Sequence, residues 1–220
     1  MELFKEIAQE CQNAQARLVA VSKTKPNSSI ESLYSKGQRI FGENKVQELC
    51  QKQAVLPSDI EWHMIGHLQS NKVKYIAPFV DLIHAVDSIK LLKEINKQAR
   101  NNQRVIPVLL QIKIAAEESK FGISPKEFSA FIEAYEALDL GHVSIAGLMG
   151  MATFTEDKDQ IRKEFQLLKE LFEEVKRNNF KDKPFFKELS MGMSGDYKIA
   201  LEEGSTMIRI GSLLFGHRNY

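Results

Sequence analysis

The most constraining feature of this chain is a unit that recurs eight times. A short apolar run ends in small or polar residues, and an amphipathic stretch follows it. The runs occupy 17–22, 39–42, 60–65, 82–86, 105–112, 143–149, 186–190 and 207–214. Three of the intervening stretches show apolar residues at helical spacing. They are Ile89, Leu91, Leu92 and Ile95 in 88–101, Phe128, Phe131, Ile132 and Tyr135 in 125–138, and Ile161, Phe165, Leu168, Leu171, Phe172 and Val175 in 156–177. Asp87-Ser88, Ser124-Pro125, and Thr155 followed by two acids are the expected helix openings.

Strands that alternate with helices of this length specify a parallel sheet built from βαβ units. Eight repeats predict an α/β fold, a single (β/α)₈ TIM-type barrel domain over 1–220. The chain is short for that fold, where about 250 residues is typical and about 200 is near the lower limit. No eighth helix is expected after the last run. Leu3, Phe4, Ile7, Ala8 and Cys11 instead form an apolar face ahead of the first strand. An extra N-terminal helix should therefore cover the sheet face that the missing helix would have covered. The competing architecture is an open doubly wound sheet, which usually has fewer strands.

Composition excludes several classes of function. Thirty Lys+Arg against 29 Asp+Glu leave a net charge of +1, so there is no electrostatic case for nucleic acid or an anionic membrane as partner. No apolar run approaches the roughly 20 residues of a membrane helix. The N-terminus carries acids where a signal peptide needs basic residues. Cys11 and Cys50 make no disulfide framework, and a cytoplasmic location is expected.

In a (β/α)₈ barrel the active site lies at the C-terminal ends of the strands. The first run places Val19, Val21 and Lys23 on one face. If the valines point into the barrel, Lys23 caps that interior. A lysine among apolar walls loses hydration, its pKa falls, and it can serve as a Schiff-base amine. The plainer reading is a solvated lysine at a strand end. Lys25 has the same parity but precedes Pro26, in a loop.

The last run puts Met207, Arg209 and Gly211 on one face. An arginine inside an apolar strand needs a partner, either a structural carboxylate or an anionic or aromatic ligand. Gly211 allows close approach, and Ser212 adds a hydroxyl and a backbone N–H. The seventh run leads into LSMGMSGD (189–196). Small residues there form a nest of N–H groups suited to phosphate, or else a tight turn with Ser194 or Asp196 as helix cap. Barrels frequently hold phosphate after strands seven and eight, so the two loops support one another. Asn44 ends the second run and either faces the site or caps a helix. His63 and His67 are four apart, but Gly66 and a strand-like flank argue against a helical metal pair, and no Glu follows His63. His84, His142 and His217 offer no metal set either. A Schiff-base lysine, a phosphate nest and a buried arginine in one barrel suggest pyridoxal 5′-phosphate (PLP). A PLP-free barrel enzyme of sugar phosphates remains the other reading.

The motifs VSKTKP (21–26), FGENKVQE (41–48), WHMIGHLQSNK (62–72), HAVDS (84–88), KFGI (120–123) and GLMGM (147–151) resemble the YggS/PROSC family of PLP homeostasis proteins. The strongest match is LSMGMSGD (189–196) together with IRIGS (208–212) and Phe215-Gly216. The family is similar to the barrel domain of alanine racemase, and the resemblance spans essentially the whole chain.

The resemblance implies that Lys23 carries PLP as a Schiff base. It places Ser190, Met191, Gly211 and Ser212 around the phosphate, Arg209 against the ring and Asn44 in the pocket. The implied role is vitamin B6 homeostasis, a carrier and regulator of PLP without strong catalysis, with PLP-dependent apoenzymes as partners. A slow PLP-dependent amino-acid racemase or lyase is the alternative. Racemases of this type use a second base, a tyrosine on an added β-domain. The chain is expected to end before such a domain.

Overall fold

The computed structural model describes residues 2–117 and 121–216. Lys120 of the KFGI motif, His217 and Tyr220 lie outside the described residues. Eight parallel strands close into a barrel in sequence order. They are β1 (Arg17–Val21), β2 (Ile40–Glu43), β3 (Glu61–Met64), β4 (Leu82–Val86), β5 (Ile106–Ile112), β6 (Val143–Gly150), β7 (Glu188–Ser190) and β8 (Met207–Ile210). The closing pair is β1 with β8, where Leu18 faces Ile208 and Val19 faces Arg209. That pairing excludes the open doubly wound sheet.

Helices surround the barrel: α1 (Glu2–Asn13), α2 (Asn27–Tyr34), α3 (Val46–Gln53), α4 (Val73–Ile76), α5 (Ile89–Asn101), α6 (Phe128–Glu136), α7 (Lys158–Asn178), α8 (Tyr197–Glu202) and α9 (Ser212–Phe215). The Ser88 hydroxyl accepts the Leu91 N–H at the start of α5, and Leu91, Leu92, Ile95 and Ala99 form its buried face. In α7 the cap is Asp157, not Thr155; its carboxylate accepts the N–H groups of Asp159 and Gln160. The buried stripe Ile161, Phe165, Leu168, Phe172 and Val175 then follows at helical spacing.

Two apolar layers result. Val19, Leu82, Leu109, Met149 and Met207 pack together, while Ala20, Phe41, Trp62 and Ile83 belong to the larger cluster that includes the α7 stripe. Val19 and Ala20 thus fall in different layers, as strand alternation requires. Helix α1 covers the closing seam. Its Ile7 and Cys11 are buried against Leu18 of β1 and Ile208 and Ile210 of β8.

The last run departs from expectation. The strand stops at Ile210, and residues 212–215 turn into one helical turn. The Gly211 carbonyl accepts the N–H groups of Leu214 and Phe215, which bends the chain across the barrel mouth. A short helix thus follows β8 where none was expected. No described helix is long and apolar enough to cross a membrane.

Candidate functional site

A cavity of about 820 Å³ opens at the C-terminal end of the barrel. Its walls come from the ends of β1, β2, β3, β6, β7 and β8. They include Lys23, Asn44, Met151, Ser194, Arg209, Gly211 and Ser212. Five of the seven residues that the resemblance places around PLP therefore meet here: Lys23, Asn44, Arg209, Gly211 and Ser212.

Lys23 stands two residues past the end of β1, beside Val21 in the same cavity and half-buried. Lys25 also lines the cavity, but its Nζ donates to the carbonyls of Phe215 at 2.9 Å and Gly216 at 3.2 Å. It ties the first loop to the last. Asn44 is not the cap of α3; that position falls to Lys45. Asp196 holds the N-cap position of α8 without a side-chain capping bond; its carboxylate instead accepts the Met193 N–H and closes the loop after β7.

Ser190 and Met191 stand apart from the cavity lining. Both are fully buried. Met191 packs in the larger apolar cluster. The Ser190 hydroxyl instead joins a polar chain through the barrel interior. Arg209 donates to Ser190 Oγ at 2.6 Å and to the Gly150 carbonyl at 3.0 Å. Ser190 Oγ lies 3.1 Å from His84 Nδ1, and His84 Nε2 lies 3.0 Å from His63 Nδ1. Among the described residues, a hydroxyl and a carbonyl hold Arg209.

Arg209 can only donate, so Ser190 Oγ accepts from it. Burial keeps both imidazoles neutral. The His63 pKa falls to about 3, with the Arg17 charge adding to the effect. His84 is held well below its ordinary value by burial and then by the His63, Arg209 and Arg17 charges. Burial also pulls the Arg209 guanidinium down to about 10, against the Asp196 carboxylate, so it stays a cation at neutral pH.

Sequence reasoning missed His63 and His84. The available signal was the position of both inside apolar strands, where a histidine needs a partner. Glu164 was missed as well. It accepts the Thr153 N–H and hydroxyl, each at 2.6 Å, and anchors the loop after β6 at the cavity wall. Among the described residues no group of three or more His, Cys, Asp or Glu could hold a metal ion.

The family model for the alanine racemase N-terminal domain matches residues 3–219. A pyridoxal phosphate homeostasis protein of Aquifex aeolicus is 42% identical over 206 residues, 93% of this chain and 88% of that protein. The human protein of the same name is 42% identical over 217 residues, 94% of this chain and 78% of that one. Among solved structures, PipY of Synechococcus elongatus with PLP bound superposes with a TM-score of 0.80. It is 36% identical, covering 92% of this chain and 93% of PipY. An alanine racemase of Bartonella henselae shares the fold, with a TM-score of 0.72 at 17% identity over 98% of this chain and 57% of that one.

Proposed function

Because the chain belongs to the alanine racemase N-terminal domain family and, within it, to the pyridoxal phosphate homeostasis proteins, we propose that it binds PLP in the mouth of its barrel. The role is to hold and release the cofactor, not to turn over a substrate. The observation that carries this reading is the convergence of Lys23 and Arg209 on one cavity from the adjacent strands β1 and β8.

The residues fit the group. A cavity of about 820 Å³ lies within the roughly 300–1,000 Å³ of small-molecule and cofactor sites. Val21, Ile65 and Met151 offer apolar wall to a ring. Ser194, Gly195, Gly211 and Ser212 bring hydroxyl and backbone donors to one side, suited to a phosphate. When bound, PLP supplies an aldehyde that condenses reversibly with a primary amine, with loss of water.

Lys23 is the amine we assign to that bond, because it stands two residues past the end of β1, beside Val21 in the cavity lining. Arg209 faces the ring. It is a permanent donor that cannot hand over its proton, so it can orient a ring nitrogen without protonating it. Ser190 reaches the cofactor only through Arg209, and Met191 by packing beneath the loop after β7. Asn44 contributes a polar side chain from the end of β2. A cofactor whose ring nitrogen is not protonated is a weak electron sink, which favours carriage over catalysis. PLP-dependent apoenzymes are the recipients.

Borohydride reduction of the PLP-loaded protein should fix the cofactor on the peptide containing Lys23. A label on Lys25 would refute the assignment. Loaded protein should restore an apo-transaminase faster than the same concentration of free PLP. Equal rates, together with amino-acid turnover near 1 per second or more, would replace the carrier with a slow racemase or lyase.

A further inference from the structure

The FGENKVQE motif does more than supply Asn44. Its two glutamates, Glu43 and Glu48, meet Lys52 behind the strand ends. Lys52 Nζ lies 2.7 Å from Glu43 Oε1 and 2.7 Å from Glu48 Oε1. Glu43 and Lys52 are buried, and the Glu48 side chain is 21% exposed. A buried cluster of two carboxylates and one ammonium is expensive to desolvate. Its side chains also bond Ser22 and Thr24, the two residues that flank Lys23.

On one side of Lys23, Ser22 is held three ways. Its N–H donates to the Gly42 carbonyl at 3.1 Å. Its hydroxyl donates to Glu43 Oε1 at 2.6 Å, and its carbonyl accepts from Lys52 Nζ at 2.8 Å. On the other side, the Thr24 N–H donates to Glu48 Oε1 at 2.6 Å. Thr24 has φ +64°, a left-handed conformation that a β-branched residue rarely adopts. A charge-assisted bond to a carboxylate is the kind of contact that can hold it there. β1 ends at Val21, so strand pairing alone does not position Lys23.

We propose that Glu43, Glu48 and Lys52 are positioning residues for Lys23, clamping the peptide units on either side of it so that its amine projects into the cavity. This rests on the reading of Lys23 as the amine that bonds PLP. The clamp acts through Ser22 and Thr24. It should therefore govern how readily Lys23 reacts without altering how the cavity holds a ring and a phosphate.

Glu48 is the member to vary, because its loss leaves the buried Glu43–Lys52 pair in place. Glu48→Leu removes the acceptor of the Thr24 N–H. Glu48→Gln keeps an acceptor at the same reach, and Glu48→Asp keeps the charge but shortens the reach. Three quantities are measured on the full chain: the rate of borohydride-trappable attachment of PLP to Lys23, the affinity for pyridoxine 5′-phosphate, which has no aldehyde, and the urea midpoint. Glu48→Leu should slow attachment at least tenfold and change pyridoxine 5′-phosphate affinity less than twofold. Glu48→Gln should recover most of the rate. If Glu48→Leu fails to fold, Glu48→Asp carries the same expectation. A lowered urea midpoint with attachment at the wild-type rate would overturn the proposal and leave a structural ion cluster. A wild-type protein that binds PLP but carries no label on Lys23 would overturn the underlying assignment instead, and the clamp with it.

Discussion

Acid should destabilise this protein through the histidine chain inside its barrel. His63 is 1% exposed, and its pKa falls from about 6.5 to about 3 in the folded state. The unfolded chain therefore binds a proton at His63 that the folded protein refuses. Stability is complete above about pH 6.5 and is lost as pH falls below it, down to the folded value near 3. Between pH 7 and pH 5 the unfolded histidine becomes almost fully protonated while the folded one does not. The difference is about 1.5 pK units, or about 2 kcal/mol at 1.36 kcal/mol per unit. This is roughly a 30-fold rise in the unfolding constant from one residue. His84 acts in the same direction. Glu43 and Asp81 oppose it, because burial raises their carboxyls and acid then favours the folded form. The assay is urea unfolding at pH 7 and pH 5 for the wild type and His63→Gln. Glutamine retains a hydrogen-bonding group for His84 Nε2 but does not titrate. Taking the difference cancels the carboxyl contributions. The variant should lose about 2 kcal/mol less than the wild type across that interval. Equal losses would refute a buried, neutral His63.

Two other substitutions separate the site from the scaffold. Arg209→Ala removes a cation beside an open cavity that water can refill, and Ser190 keeps its bond to His84. PLP affinity should drop about 10- to 100-fold, as for a lost hydrogen bond to a charged group of about 1.5–3 kcal/mol, with a smaller loss of stability; equilibrium dialysis alongside urea unfolding checks this. Gly147→Ala should prevent folding or cost more than about 4 kcal/mol, because Gly147 has φ +152° and a Cβ there would lie 1.8 Å from the Glu188 carbonyl oxygen. Circular dichroism and urea unfolding would expose a tolerated alanine.

Much of this architecture is written in local pattern. The apolar runs and helical stripes such as Ile161, Phe165 and Leu168 each concern one segment and its solvent, so their period is legible without the fold. The side of the sheet on which Val19 and Val21 fall follows from strand alternation alone. The apolar face of α1 likewise signalled a helix seeking a sheet, and Ile7 and Cys11 found the seam between β1 and β8. The turn at Gly211 was harder to read. An apolar run, 207–214, continues through it, and the end of the short helix α9 is held by Lys25 Nζ, which donates to the carbonyls of Phe215 and Gly216 from the far end of the chain.

The sequence by itself determined eight strands alternating with helices, with a lysine just past the first strand and an arginine within the eighth. Tertiary structure alone decided what Arg209 touches. From sequence its partner was either a structural carboxylate or a ligand; in the fold a hydroxyl on β7 and a carbonyl at the end of β6 hold it. It also aligned His63 with His84, 21 residues apart, and His84 with Ser190, 106 residues apart. The same holds for Lys52, whose ammonium reaches back 30 residues to the Ser22 carbonyl. The physical reason is closure. Which side chains share a level inside a barrel depends on the stagger between all of its strands. That stagger exists only once β1 has paired with β8, so no single segment can encode it.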